Sequence, residues 1–364
     1  MKVPWAMPYL GEEETDEVMD SLKSGWVTMG PKVLRLESEM AGYIGVKHAI
    51  AVNSGTAALD AALKALGITP EDEVIVPAMT YIATVNAVSY NHATPVLADI
   101  EPKTFNIDPQ KVEEVITPKT KCIIPIDYGG ESADYDALLQ IGEKQNIYLL
   151  EDGAHSIGSA YKGKKLCSFG HIATTSFHAA KLITSVEGGM LFTNDDELAQ
   201  RCRIIRNQGE DPNMKYHHVL LGHNYRMTDL YAAVGLAQFR RLDDILKKRA
   251  QIAEDYTKNL KGLSPSLQLP YVAPENTRAW FLYTVLLDNR DRVREYLKEK
   301  GVDTRVSWIL PVHQQPIYQW LPRKEYPVAE RISQTVLNLP MYYTMSREEQ
   351  DYVISSLKEA LKQQ

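Results

Sequence analysis

The chain has 364 residues, of which 44% are hydrophobic and 24% charged, and its formal net charge is -7. This is the balance of an ordinary globular protein long enough for two lobes, and the acidic excess argues against a nucleic-acid partner, which needs a broad basic surface. No run of about 18 apolar residues could span a membrane, the start MKVPWAMPYLGEEE turns acidic too early for a signal peptide, and the scattered cysteines Cys122, Cys167 and Cys202, without metal spacing, read as reduced thiols of a cytoplasmic protein.

Residues 14–46 read as two helical stretches split by SGWVTMGP at 24–31. Apolar runs of strand length follow at 49–52, 73–78, 94–99, 121–126, 147–152 and 189–194, with helix-like segments such as 56–66 and 109–116 between them. That alternation predicts an α/β lobe with a mostly parallel sheet covered on both faces. A long helical stretch is expected from Thr228 to about Leu260. Beyond it, a strand at 279–287 and helices at 291–300 and 346–362 suggest a smaller α+β domain. The expected division is 1–245, with the N-terminal helical segment, and 246–364.

Three places in this frame could carry chemistry. VNSGTAAL (52–59) leaves a short strand and opens an Ala-rich helix, so Ser54, Gly55 and Thr56 lie where free N–H groups and the helix dipole favour an anion. A plain N-cap explains the same residues. LLEDGAHSIG (149–158) puts Asp152 at the carboxyl end of an apolar run, where α/β sheets collect ligands, or where an Asp simply caps a helix. SFHAAKLITSVEGGM (176–190) sets Lys181 among apolar neighbours. A desolvated lysine loses its charge and becomes a nucleophilic amine; a snorkelling lysine keeps its head in water. The double glycine after it suggests a tight turn through backbone angles that only glycine adopts freely.

One ligand explains all three together. Pyridoxal phosphate needs an anion cradle, a carbonyl-reactive amine and a carboxylate at its ring nitrogen. Tyr81, after the run 73–78, could supply a ring to stack on it.

The blocks SGWVTMGP, VNSGTAALDAALKALGI, DEVIVPAMTYIATVNAV, EDGAHSIG, SFHAAKLITSVEGGMLFTND, GHNYRMTDLYAAVGLAQ, PVHQQPIY and LNLPMYYTMSREEQ, in this order over nearly the whole chain, resemble the DegT/DnrJ/StrS sugar aminotransferases. The resemblance implies a pyridoxal-phosphate enzyme of fold type I, with a large mixed but mostly parallel α/β/α domain and a smaller C-terminal α+β domain. It implies Lys181 as the Schiff-base lysine, Asp152 as the partner of the ring nitrogen, Tyr81 as the stacking ring, and Gly55, Thr56 and Ser176 as the phosphate cradle. His155 would lie near the cofactor's 3'-oxygen. Asn224 would reach the phosphate in a neighbouring subunit, making a homodimer with shared sites. Trp26, His178, Glu187, Trp308 and His313 would lie near the substrate, and Tyr128 could add an aromatic wall.

Two departures touch the substrate side: IDYGGES (126–132) stands where many relatives have HLYGQ, and Ser307–Trp308 where many have a His–Tyr pair. The implied reaction moves an amino group from glutamate to a nucleotide-linked ketosugar, a 4-keto-6-deoxyhexose. Arg226, Lys215 and Arg305 are candidates for the diphosphate. A cyclitol or sugar-phosphate acceptor is the alternative on the same scaffold, and a non-catalytic cofactor-binding regulator is the alternative outside it.

Overall fold

The computed structural model describes residues 1–263, 265, 267–322 and 324–362. Its centre is a seven-stranded sheet in the order β1-β9-β8-β5-β4-β2-β3. The strands, in chain order, are β1 (His48–Val52), β2 (Glu73–Pro77), β3 (Thr94–Ala98), β4 (Thr120–Ile123) and β5 (Tyr148–Asp152). A two-strand hairpin follows, β6 (Ala160–Tyr161) and β7 (Lys164–Lys165), and then β8 (Ile172–Ser176) and β9 (Gly189–Thr193). Only β9 runs antiparallel to its neighbours. The strands are buried almost throughout, as runs such as EVIVP and GMLFT require when helices cover both faces.

This topology brings the carboxyl ends of β1, β2, β5 and β8 to one edge. Because β9 runs the other way, its first residue, Gly189, starts at that edge. Helix Gly55–Ala65 leaves it after β1, and helix Ile82–Tyr90 after β2.

The helical stretch expected from Thr228 is two helices, Asp229–Arg240 and Leu242–Leu260. The break falls at Arg241, which turns aside to pair with Glu14 and to lie over the Tyr9 ring, 4.8 Å from its centroid. The second helix crosses residue 245: Leu242 and Ile245 sit in the large core, and Ile252 through Leu260 pack with the C-terminal residues.

The C-terminal part holds an antiparallel sheet of β10 (Leu267–Gln268), β11 (Tyr283–Leu287) and β12 (Val336–Leu339), with helices Arg290–Glu299 and Arg347–Lys362. The chain's start joins it: Val3 bridges to Val302 and is buried in the same apolar cluster. The strand expected at 279–287 begins only at Tyr283, because Trp280 is left-handed at φ 56 and breaks the extended run. Among the described residues, no helix is long and apolar enough to cross a membrane. All three cysteines are buried and unpaired with each other.

Candidate active site

At the strand edge lies a cavity of about 480 Å³. It gathers Gly55, Thr56, Tyr81, Asp152, His155, Ser176, His178, Lys181, Glu187 and Trp308, residues spread over 250 positions of sequence.

Lys181 follows β8, its N–H held by the His178 carbonyl at 2.9 Å. Part of the side chain faces the cavity, while Nζ lies 4.8 Å from the centroid of the Phe281 ring. Burial pulls its pKa down to about 8, against the opposing pull of Asp152. At neutral pH an appreciable fraction is therefore neutral amine.

Asp152 ends β5 and is 3% exposed. One oxygen accepts from Thr84 Oγ1 at 2.7 Å and the other from the Ala154 N–H at 3.2 Å. Burial raises its pKa and these hydrogen bonds hold it back, an arrangement that calls for a cation in the cavity. His155 is buried between rings, 4.3 Å from Phe281 and 6.1 Å from Trp308, centroid to centroid. Burial, and then the charge of Lys181, drive its pKa well below the usual histidine range. Its Nδ1 accepts the Gly129 N–H at 3.2 Å, which leaves the neutral ring's proton on Nε2.

Also lining the cavity, Ser54 caps helix Gly55–Ala65 by accepting the Ala57 N–H at 3.1 Å. The cap leaves the N–H groups of Gly55 and Thr56 without intrahelical acceptors. A Cβ at Gly55 would stand 2.9 Å from Ser176 Cβ, so glycine lets the helix end meet the end of β8. The cap reading of this stretch therefore holds, and it leaves these two N–H groups free to meet a ligand.

The turn after Lys181 corrects the expectation about its glycines. Neither Gly188 nor Gly189 has a positive φ; the left-handed residue is Val186, at φ 72. A β-branched residue there is strained. Hydrogen bonds impose the shape: Thr184 Oγ1 accepts from Val186 N at 2.8 Å and donates to the Phe177 carbonyl at 3.0 Å, and Ser185 Oγ donates to the Glu187 carbonyl at 2.8 Å. The glycines serve close approach instead. A side chain on Gly188 would strike Ser185 Oγ and Met227, and one on Gly189 would strike Ser54 O and the Gly55 nitrogen.

The remaining expected residues divide between the cavity rim and places outside it. His178 and Glu187 face each other at 3.8 Å on the cavity rim, both about half exposed. His313 is outside the cavity, bound to Glu330 at 3.1 Å and packed on Tyr326. Trp26 is exposed in the loop between the first two helices and does not line the cavity. Asn224 is also exposed and outside it. Tyr128 sits behind the wall, edge-on to Trp308 at 5.4 Å. Of the three basic candidates, Arg226 binds Asn207 Oδ1 at 2.8 Å and Arg305 lies near Asp303 at 3.7 Å, and with Lys215 they are away from the cavity. Two residues of the site had no sequence signal: Thr84, which holds Asp152, and Phe281, which lies beside both Lys181 and His155.

The sequence profile described as the DegT/DnrJ/EryC1/StrS aminotransferase family matches residues 8–358. The chain belongs to this family. It is 41% identical to GDP-perosamine synthase of Caulobacter vibrioides, over 99% of this chain and 98% of that protein. It is 39% identical to UDP-2-acetamido-2-deoxy-3-oxo-D-glucuronate aminotransferase of Pseudomonas aeruginosa, over 88% of each. The crystal structure of DesV from S. venezuelae in complex with a ketimine intermediate superposes with a TM-score of 0.94 at 35% identity, covering 98% of both chains. The protein is accordingly a pyridoxal-phosphate-dependent sugar aminotransferase with the fold of its structural neighbours. The cavity suits that cofactor on its own chemistry, since its lining includes a buried carboxylate, a bare helix N-terminus and a desolvated amine.

Proposed function

We propose that this enzyme takes the amino group of glutamate and delivers it to C4 of a nucleotide-linked 4-keto-6-deoxyhexose, as one of two copies that complete each other's sites. The observation that carries the reading is the single cavity that unites Lys181, Asp152 and the Gly55–Thr56 helix end with open space beside Trp308. Bound pyridoxal phosphate supplies an electron sink that lets a neighbouring C–H give up its proton.

The chain's own residues do the rest. Gly55 and Thr56 N–H groups, with Ser176 Oγ, would take the phosphate. Asp152, oriented by Thr84, would keep the proton on the ring nitrogen. Tyr81, at the start of helix Ile82–Tyr90, would cover the ring. His155 can donate from Nε2 to an oxygen beside it. Lys181 would hold the cofactor's aldehyde carbon, and when displaced its neutral Nζ accepts a proton from the amino-bearing carbon and returns it one position along. Trp308 offers the sugar an apolar face.

Incubation with glutamate and a panel of nucleotide ketosugars, followed by mass spectrometry and NMR, tests the acceptor. A C4 amine is expected. The relative named for a 3-oxo sugar makes C3 the instructive contrast: an amine there, or turnover only with a cyclitol ketone, refutes the C4 assignment. Turnover of any of these excludes the regulator reading.

The shared site is supported by where Asn224 lies. It is exposed, and its loop carries the exposed apolar side chains Met214, Tyr216 and Leu221. Mixed Lys181→Ala and Asn224→Ala proteins, each inactive alone, should regain activity in hybrid pairs, because one of the two sites is then intact. An active monomer in sedimentation would refute the sharing.

A further inference from the structure

Arg249 is 7% exposed in helix Leu242–Leu260, and among the described residues no carboxylate pairs with it. A buried cation without a counter-ion is costly and calls for a reason. Its donors go instead to two consecutive backbone carbonyls: Nε to Trp280 O at 2.8 Å and Nη2 to Phe281 O at 2.8 Å. These belong to the segment that the left-handed Trp280 turns out of line with β11. The turned segment presents the Phe281 ring to two cavity groups, Lys181 Nζ at 4.8 Å and the His155 ring at 4.3 Å. A second buried arginine braces it, Arg278, which lies 4.7 Å over the Trp280 ring and donates to Gly129 O at 3.4 Å. Gly129 in turn donates to His155.

We infer that Arg249 is a positioning residue for the cofactor cavity, a two-pronged clamp on Trp280 and Phe281 that keeps the Phe281 ring seated against Lys181 and His155. Guanidinium suits such a clamp, since its rigid fork presents separate N–H groups to the two carbonyls in one fixed plane, geometry that the rotating donors of an ammonium do not enforce. Burial pulls the Arg249 pKa down to about 10, so it stays charged and fully able to donate at neutral pH. The backbone strain at Trp280 needs such a restraint, since a non-glycine residue holds a positive φ only where its surroundings impose it. Arg249 works through Phe281 and does not touch the reacting atoms.

The inference rests on Lys181 being the cofactor-bearing lysine, which borohydride fixation of the cofactor and peptide mapping establish separately. The test reads the lysine itself. Full-length protein freed of cofactor is labelled with trace acetic anhydride across a pH series, and incorporation at Lys181 is followed by mass spectrometry. The wild type should label with a midpoint near 8. In Arg249→Met the released ring should admit water and raise the midpoint by about one unit or more. Arg249→Lys, which lacks the rigid fork, should fall between. Should Arg249→Met fail to fold, Phe281→Leu serves instead: it keeps the clamp but removes the ring, and should shift the midpoint the same way. An unchanged Lys181 midpoint in a folded Arg249→Met protein, or in Phe281→Leu, overturns the inference. A merely stabilising arginine would lower the melting temperature and leave that midpoint in place.

Discussion

Lys181→Ala should abolish transamination, by about four orders of magnitude or more, while the protein stays folded. In the proposed function the side chain would anchor the cofactor's carbonyl carbon and carry the proton between two carbons. No other amine lines the main cavity among the described residues. Borohydride treatment of the wild type should leave the pyridoxyl group on the peptide containing Lys181, and label on another lysine would overturn the assignment. A pH dependence follows from the same geometry. The amine is pulled down to about 8 by burial, and it must be neutral to accept a proton. The rate of the proton-transfer step should therefore fall as pH drops through about 8, rather than through the far higher range of an exposed lysine.

Asp152→Asn should cost about a thousandfold in turnover with little change in melting temperature. The amide keeps the size; its oxygen can still accept the Ala154 N–H while its NH2 donates to Thr84 Oγ1, whose own proton can turn to Thr80 Oγ1 at 3.0 Å, so the pocket should hold its shape. What vanishes is the negative charge that, in the proposed function, would keep a proton on the ring nitrogen, and with it the pull on the bonding electrons of the departing C–H. The loss should appear in kcat more than in cofactor affinity, because the phosphate end of the site is untouched. Turnover within tenfold of wild type would rule out this role. Thr84 gives a graded companion: it orients the carboxylate without supplying its charge.

Much of this molecule was legible before its shape was known. The six apolar runs from 49 to 194 became strands within a few residues, because a doubly covered parallel sheet demands continuous burial and its strands advertise it. Lys181 stood out because a lysine between Ala179, Ala180, Leu182 and Ile183 is an anomaly visible in the local sequence alone. Phe281, Thr84 and Arg249 did not, since each matters through a partner over 30 residues away: Lys181 and His155, Asp152, and the carbonyls of Trp280 and Phe281. The turn at 184–189 was misread for a related reason. Glycine marks two different needs, unusual dihedrals and lack of bulk, and only the three-dimensional neighbours of Gly188 and Gly189 tell which applies. His313 and Trp26 show the converse: position in a recognisable block places a residue near a site without turning its side chain into it.

The contact of Gly189 with Ser54 and Gly55 has a consequence for how such an enzyme can change over time. Any side chain at that point would wedge the lysine turn away from the N-terminus of helix Gly55–Ala65, disturbing two parts of the cavity lining at once. One side of the cavity is therefore closed to experiment by substitution. The side chains of Trp308, His178 and Glu187 line the same cavity without a backbone contact of that kind, the last two about half exposed. On the proposed function, these are the side chains whose exchange, one at a time, would fit new sugars while the lysine turn and the helix end stay fixed.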